Sequence, residues 1–269
     1  MTYLVSFWEK PNRPRCFIQF PSSHPNRGTY NPLVCGRYRL SRRKQIIEER
    51  FDVPPDDSDD WTPRYNIAPT QPAPVIRQHP KEPRRVLSLM RWGLIPIWAK
   101  DMSGAAGKIN ARSETAATLP AFRDELKSRR CLVPADGFYE WRRTGGQKQP
   151  FCFEVTDGEL FAFAGLWERW KDPSGTCVKS FTVLTTTPNA VTSLIHDRMP
   201  VILNRADYDL WLDPAMTKVE VVTDMLRPYR AELMRSYPVS PRVNHVSNDD
   251  AACSAPVELT PTPSQSSLF

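Results

Sequence analysis

RCLVPADGFYEWRR, residues 130–143, decides the architecture. Its first half is a short apolar run without a helical period. Its second half alternates, so that in an extended chain Phe138 and Glu140 share one face while Tyr139 and Trp141 share the other. Turn chemistry follows at once, TGGQKQ at 144–149, and then PFCFEV at 150–155. Asp157-Gly158 and DPSG at 172–175 set off two further runs, ELFAFAGLWERW (159–170) and VKSFTVLTTT (178–187). Tight turns between strand-like runs favour antiparallel hairpins, because the short connection leaves the second strand no route except back along the first. Upstream, PAPVIRQ (72–78) and RRVLSLMRWGL (84–94) read as strands as well. Helices are few. Ser41 can cap one that runs to about Phe51, with Ile46, Ile47 and Phe51 as its apolar stripe. Others fall near Pro120–Arg129, with proline in the first turn, and near Arg205–Leu212. The expected fold class is α+β, a single domain over 35–250 built on a curved antiparallel barrel-like β-sheet with flanking helices.

The ends differ from this middle. Pro11, Pro14, Pro21, Pro25 and Pro32 interrupt every window of residues 1–34, which read as an appendage, and 251–269 (AACSAPVELTPTPSQSSLF) read as a disordered tail. The whole chain has 269 residues, 27 prolines, 11 glycines and a net charge of +6. At about 150 residues per domain this is enough to bury a core without metal or disulfide staples. No apolar run approaches the ~18 residues a membrane helix needs, and the first residues lack the apolar stretch and cleavage site of a signal peptide. A cytoplasmic protein is expected. The six cysteines (Cys16, Cys35, Cys131, Cys152, Cys177, Cys253) form no C-x-x-C and read as free thiols. The four histidines (His24, His79, His196, His245) include no i, i+4 pair, so no dedicated metal site is expected. A pI of about 9.0 invites a polyanionic partner, although +6 is a modest excess for this length.

Four polar positions stand out. Cys35 begins the ordered region, in VCGRYRL, and as an isolated cysteine reads first as a small buried residue starting a strand rather than as a functional thiol. In KINARSETAA (108–117), an extended chain would put Asn110, Arg112 and Glu114 on one face, whereas a helix starting at Ser113 would leave them in a solvated loop. Glu140 shares its strand face with Phe138, where desolvation would raise its pKa into the range useful for proton transfer; the competing interpretation is an ion pair with a neighbouring arginine. His196, in LIHDRMP, has Asp197 beside it as a candidate orienting carboxylate, or is simply a satisfied core histidine.

Taken together, CGRY (35–38), RYNIAPTQ (64–71), RWGLIPIWA (91–99), INARSET (109–115), CLVPADGFYEW (131–141), IHDRMPVIL (195–203) and YPVSPRVN (237–244) resemble the SRAP family, the SOS response-associated peptidases or abasic site processing proteins. The resemblance implies one α+β domain around a barrel-like sheet and a sensor of abasic sites in single-stranded DNA, active in the DNA damage response. It implies an autopeptidase with protein–DNA crosslinking and lyase-like chemistry, without metal or organic cofactor, cytoplasmic and nucleoid-associated; the single compact domain itself suggests a monomer. Cys35 matches the family's N-terminal cysteine, whose free amine and thiol close a thiazolidine on the sugar aldehyde. Asn110 would position the cysteine and sugar, Glu140 would act as general acid/base, and His196 would assist ring opening and crosslink reversal. Arg37 and Arg112 match residues that grip phosphates, while Asn66, Pro69 and Trp98 lie where the family contacts or wedges the DNA.

One departure matters for that chemistry: 34 residues precede Cys35. While they stay attached its nitrogen is an amide and no thiazolidine can form. The segment is then a non-native extension or a removed propeptide. Either the Cys35 thiol cleaves the Val34–Cys35 bond with Glu140 as proton relay, or translation starts at position 34, where a GTG initiator would read internally as valine. Lys10, Arg13, Arg15 and Arg27 against Glu9 put +3 of the +6 into this segment, so binding should rest on a local groove around Arg37 and Arg112. Two other functional classes fit the same residues: a non-catalytic single-strand binding module, and a conventional cysteine hydrolase using Cys35, His196 and Asn110.

Overall fold

The computed structural model describes residues 35–55, 60–144 and 147–259. The segment 1–34 lies outside the described residues, as do 260–269. In chain order the strands are β1 (Tyr38–Leu40), β2 (Arg64–Ile67), β3 (Pro72–Gln78), β4 (Arg85–Trp92), β5 (Asn110–Arg112), β6 (Arg130–Ala135), β7 (Gly137–Thr144), β8 (Gln147–Val155), β9 (Phe161–Lys171), β10 (Cys177–Thr186), β11 (Met199–Pro200) and β12 (Met234–Pro238). The helices are short: α1 (Lys44–Arg50), α2 (Ser113–Ala116), α3 (Arg123–Ser128), α4 (Tyr208–Leu212) and α5 (Val219–Asp224).

Two sheets form. One has the order β12-β8-β7-β1-β2. The other runs β11-β10-β4-β3-β6-β9 and closes on itself because β9 also pairs with β10, making a five-stranded barrel of β10, β4, β3, β6 and β9. The antiparallel expectation holds at β3–β4, β3–β6, β6–β9 and β9–β10. The seam β4–β10 is parallel, as is the pairing of β5 with β10. So small a barrel has room only for side chains. Trp92 and Phe181 stack at its seam, 6.2 Å between centroids. Tyr38 meets Trp92 and Phe163 edge-on at 5.2 and 5.8 Å, and Phe138 meets Phe163 at 6.0 Å, so the two sheets share one core. At Gly165 a Cβ would lie 2.8 Å from Cys131 Sγ and Val133 Cγ2, which explains a glycine in the middle of β9.

The run 130–143 does not form one strand. It breaks at Asp136, so that β6 belongs to the barrel and β7 to the other sheet. Asp136 fixes the crossing: its carboxylate accepts from Arg39 Nε (2.9 Å), Ser41 N–H (2.7 Å) and Ser41 hydroxyl (2.5 Å). Ser41 is thereby removed from the role of helix cap expected for it. Helix α1 starts three residues later, with Arg43 at its N-cap and no side-chain cap. Of its expected stripe, Ile47 and Phe51 are buried but Ile46 is exposed, since a helix of two turns presents only its inner positions to the sheet.

The C-terminal boundary also shifts. Residues 251–259, expected to be part of a disordered tail, carry a turn at Ala251–Cys253 capped by Asp250, a buried Cys253 and a bridge between Val239 and Pro256. Burial of Cys253 against Tyr139 and Val243 holds a segment whose composition alone suggested no partner.

Candidate functional site

Cys35 stands just before β1 and is fully buried. Its φ is +45°, the left-handed region that a side chain bearing Cβ adopts only at a cost. Its backbone N–H donates to Glu140 Oε1 at 2.6 Å. Glu140 reaches it from β7, which lies beside β1 with Tyr38 opposite Phe138. The pairing of β7 with β8 sets Phe151 opposite Glu140, and the carboxyl is 2% exposed. Burial pushes its pKa from 4.5 up to about 8; the Cys35 N–H opposes that shift and the charge of Asp197 adds to it. The bond to Cys35, and not an arginine ion pair, is the partner Glu140 has among the described residues. Burial, and then the Glu140 charge, also push the Cys35 thiol well above its ordinary 9.0, so near neutrality it is a thiol and not a thiolate.

His196 follows β10 by way of a short turn at Thr192–Leu194. Its Nδ1 accepts from Arg198 N–H (3.1 Å) and lies 2.9 Å from Asp197 Oδ1. Burial lowers its pKa below 6.5, against the pull of Asp197. Strand β5 sets Asn110 beside Val183 and Arg112 beside Thr185, and Arg198 donates to Thr185 O at 2.8 Å, so Asn110, Arg112 and the His196 loop gather at one end of β10. Glu114 leaves the face expected for it because the chain turns helical at Ser113; its carboxylate takes two hydrogen bonds from Arg198, 2.7 and 2.9 Å.

A cleft of about 790 Å³ opens beside Glu140 and His196, with Gly36, Arg37, Trp141 and Asn244 also in its wall. Arg37 donates to Asn66 Oδ1 and Val243 O, both at 2.8 Å. Asn66 requires a correction. It is fully buried, and its amide donates to Val243 O, His245 O and Asn248 O at 3.1, 3.1 and 2.7 Å. With every polar atom used, it braces the C-terminal segment and presents nothing to a nucleic-acid strand. Pro69 is half-buried in the turn before β3, and Arg112 is exposed. Trp98 is 64% exposed and borders a separate crevice of about 180 Å³ with Pro96, Lys100 and Lys108. Pro69, Trp98, Asn110 and Arg112 are not wall residues of the main cleft, and neither is the fully buried Cys35, which lies behind its neighbours Gly36 and Glu140.

Several wall residues escaped the sequence analysis: Trp141, Arg142, Arg143, Lys148 and Leu194. Trp141 Nε1 donates to Asn244 Oδ1 at 2.7 Å, and Leu194 is 73% exposed. Arg143 and Lys148 face each other across the β7–β8 hairpin. Like charges directly opposite each other disfavour a sheet, and here they edge a cleft that an anion can enter. The register of that hairpin, readable from TGGQKQ, was the available signal.

A family model described as SOS response associated peptidase (SRAP) matches residues 34–246. The chain belongs to this family. Among curated relatives, the abasic site processing protein YoqW of Bacillus subtilis (strain 168) is 41% identical over 220 residues, covering 80% of this chain and 96% of YoqW. The abasic site processing protein HMCES of Gallus gallus is 34% identical over 229 residues, 74% of this chain and 68% of the relative. The SRAP fold is also matched by a crystal structure of a Bacteroides thetaiotaomicron protein, with a TM-score of 0.75 at 27% identity, covering 83% of this chain and all of that one. Cys35, Glu140 and His196 all fall inside the SRAP match. The packed residues 247–257 extend the SRAP domain beyond it, anchored by Asp249, whose carboxylate accepts from the N–H groups of Tyr65 (2.6 Å) and Asn66 (2.8 Å). No helix among the described residues is long and apolar enough to cross a membrane.

Proposed function

We propose that this SRAP protein binds single-stranded DNA in the cleft and captures an abasic site as a thiazolidine on Cys35. The observation that carries the proposal is the 2.6 Å contact between the Cys35 nitrogen and the buried Glu140 carboxyl. While the peptide bond before Cys35 is whole, burial holds Glu140 up at about 8. Once the amine is free, ammonium and carboxylate stabilise each other, and at 2.6 Å the carboxylate is the base that takes the amine's proton directly, which is what condensation requires. The neutral amine adds to C1′ of the ring-opened sugar, and the hydroxyl of the adduct leaves as water with a proton from Glu140. The Cys35 sulfur then adds to the imine carbon while its proton passes to the nitrogen, closing the five-membered ring. One water is lost and nothing is oxidised or reduced. The buried thiol suits this order, since it acts second and attacks an activated carbon.

The names of the curated relatives at 41 and 34% identity support abasic sites as the target. Arg37, Arg143 and Lys148 supply the charge for a phosphate backbone, Trp141 a stacking surface, and His196 is placed to move protons during ring opening and reversal. Exposure of the amine fits the same atoms. The Cys35 thiol adds to the Val34 carbonyl, the nitrogen leaves with the Glu140 proton while the thiol proton returns to Glu140, and water hydrolyses the thioester to the Val34 carboxyl and the free thiol; release of a residue held at φ +45° favours the cleavage.

The test is incubation of protein beginning at Cys35 with an abasic single-stranded oligonucleotide, followed by a denaturing gel and intact mass. The expected adduct equals the two components less one water and disappears in Cys35→Ala; an adduct that persists in that variant overturns the assignment. The hydrolase alternative needs the Cys35 thiol and His196 in contact, and among the described residues no hydrogen bond joins them: His196 Nδ1 is engaged by Arg198 and Asp197.

A further inference from the structure

His196 Nδ1 sits between two partners that ask opposite things of it. The Arg198 N–H, at 3.1 Å, needs a lone pair there. The Asp197 carboxylate, at 2.9 Å, needs a proton there. One nitrogen cannot satisfy both, so the neutral ring has two tautomers with different chemistry. With its lone pair turned to Arg198, the ring carries its proton on Nε2 and has no basic nitrogen left for the cleft. With its proton turned to Asp197, Nε2 is the free lone pair, able to accept a proton and, once the ring is charged, to return it.

We infer that Asp197 is a positioning residue that selects the Nδ1–H tautomer of His196 and so makes Nε2 the proton-transfer atom of the cleft. The inference rests on the role of His196 in the function proposed above. The surrounding charges make Asp197 the deciding group. Arg198 on the same loop and Arg143 from β7 both disfavour a charged ring, while the Glu140 carboxyl stands on the same cleft wall. Arg198 is itself held from outside the loop, by the two bonds to Glu114 on α2 and the bond to Thr185 O on β10. Its main chain therefore stays close to the ring and by itself favours the Nε2–H tautomer, so the carboxylate is the group that must outweigh it. The Asp197 side chain is 89% exposed, so replacing it leaves the core untouched.

Two readouts test this on the full chain with Cys35 at its N-terminus. Long-range ¹H–¹⁵N correlation of labelled histidine, with the signal assigned by His196→Ala, reads the tautomer directly. Wild type is expected to show Nδ1–H, Asp197→Asn to show Nε2–H, and Asp197→Glu to return to Nδ1–H. Crosslink reversal with abasic single-stranded DNA reads the consequence: Asp197→Asn should slow it by about tenfold or more, within the roughly 10²–10⁴-fold that a positioned general acid or base supplies, and should move the histidine limb of its pH profile to lower pH. An unchanged tautomer in Asp197→Asn, or a switched tautomer with wild-type reversal at every pH, overturns the inference. Failure of the wild type to form any crosslink is distinct: it removes the proposed function, and the spectrum alone then decides the role of Asp197.

Discussion

Glu140→Gln should remove a dependence of stability on pH that the burial of one carboxyl builds into the parent. The group is raised from 4.5 to about 8, chiefly by burial. Between those values the folded chain holds a proton that the unfolded chain has released. Its contribution is thus fully present below the unfolded value and is lost as pH rises through about 8. At about 1.36 kcal/mol per pH unit of separation, the window corresponds to at most ~5 kcal/mol, and ~3 kcal/mol is expected once the charged carboxylate draws water from the cleft. Gln keeps an oxygen to accept the Cys35 N–H and does not titrate. The assay is urea or thermal denaturation from about pH 5 to about pH 9 in a Cys35→Ala background, where the peptide bond before residue 35 stays whole. Relative to Glu140→Gln, the parent should lose ~3 kcal/mol across the range, or roughly 6–12 °C in Tm for a domain of this size. Other groups titrate in both proteins and cancel in the difference. Parallel curves would refute the premise that this carboxyl is neutral near pH 7, and with it the proton relay. With a free amine at Cys35, the ammonium stabilises the carboxylate and the slope should flatten.

Asn66→Ala should cost about 2–4 kcal/mol, because Arg37 and three carbonyls of 243–248 lose their partner together. Denaturation and limited proteolysis near residue 250 would register it, whereas weakened DNA binding at full stability would restore Asn66 to the DNA surface. Charge reversal at Arg143 and Lys148 should lower the slope of log affinity for single-stranded DNA against log salt by roughly 0.7 for each cation removed; an unchanged slope places the strand elsewhere. Trp98→Ala should leave Tm unchanged, since the side chain is 64% exposed. If Trp98 stacks on a base, affinity falls by about 1–3 kcal/mol, and equal affinity removes it from the DNA path.

The sequence made the strands legible where turn residues bound them. PAPVIRQ is β3 residue for residue, and the hairpins around 144–149 and 172–175 lie where glycine, proline and aspartate put them. What was not legible depends on contacts distant in sequence. Nothing in the alternation of 130–143 says that Asp136 will hold Arg39 and Ser41 and turn one run into two strands in different sheets. At the site, the burial of Glu140 beside Phe138 was foreseeable from period-two patterning, but its partner is 105 residues away and no spacing rule reaches it. Asn66 misled for the same reason. An asparagine in a polar-looking RYNIAPTQ gives no sign that three carbonyls from 243–248 will enclose it.

The parallel seam of the barrel has a consequence for when the site can assemble during synthesis. Arg91 pairs with Ser180 and Trp92 with Phe181, so the cylinder cannot close until nearly ninety residues beyond β4 have left the ribosome, a separation that makes closure slow. Arg37, two residues from the cysteine, must wait longer still for the carbonyls of Val243 and Asn244. A nascent or truncated chain therefore has neither the buried carboxyl beside its cysteine nor the bracket that holds the first strand down.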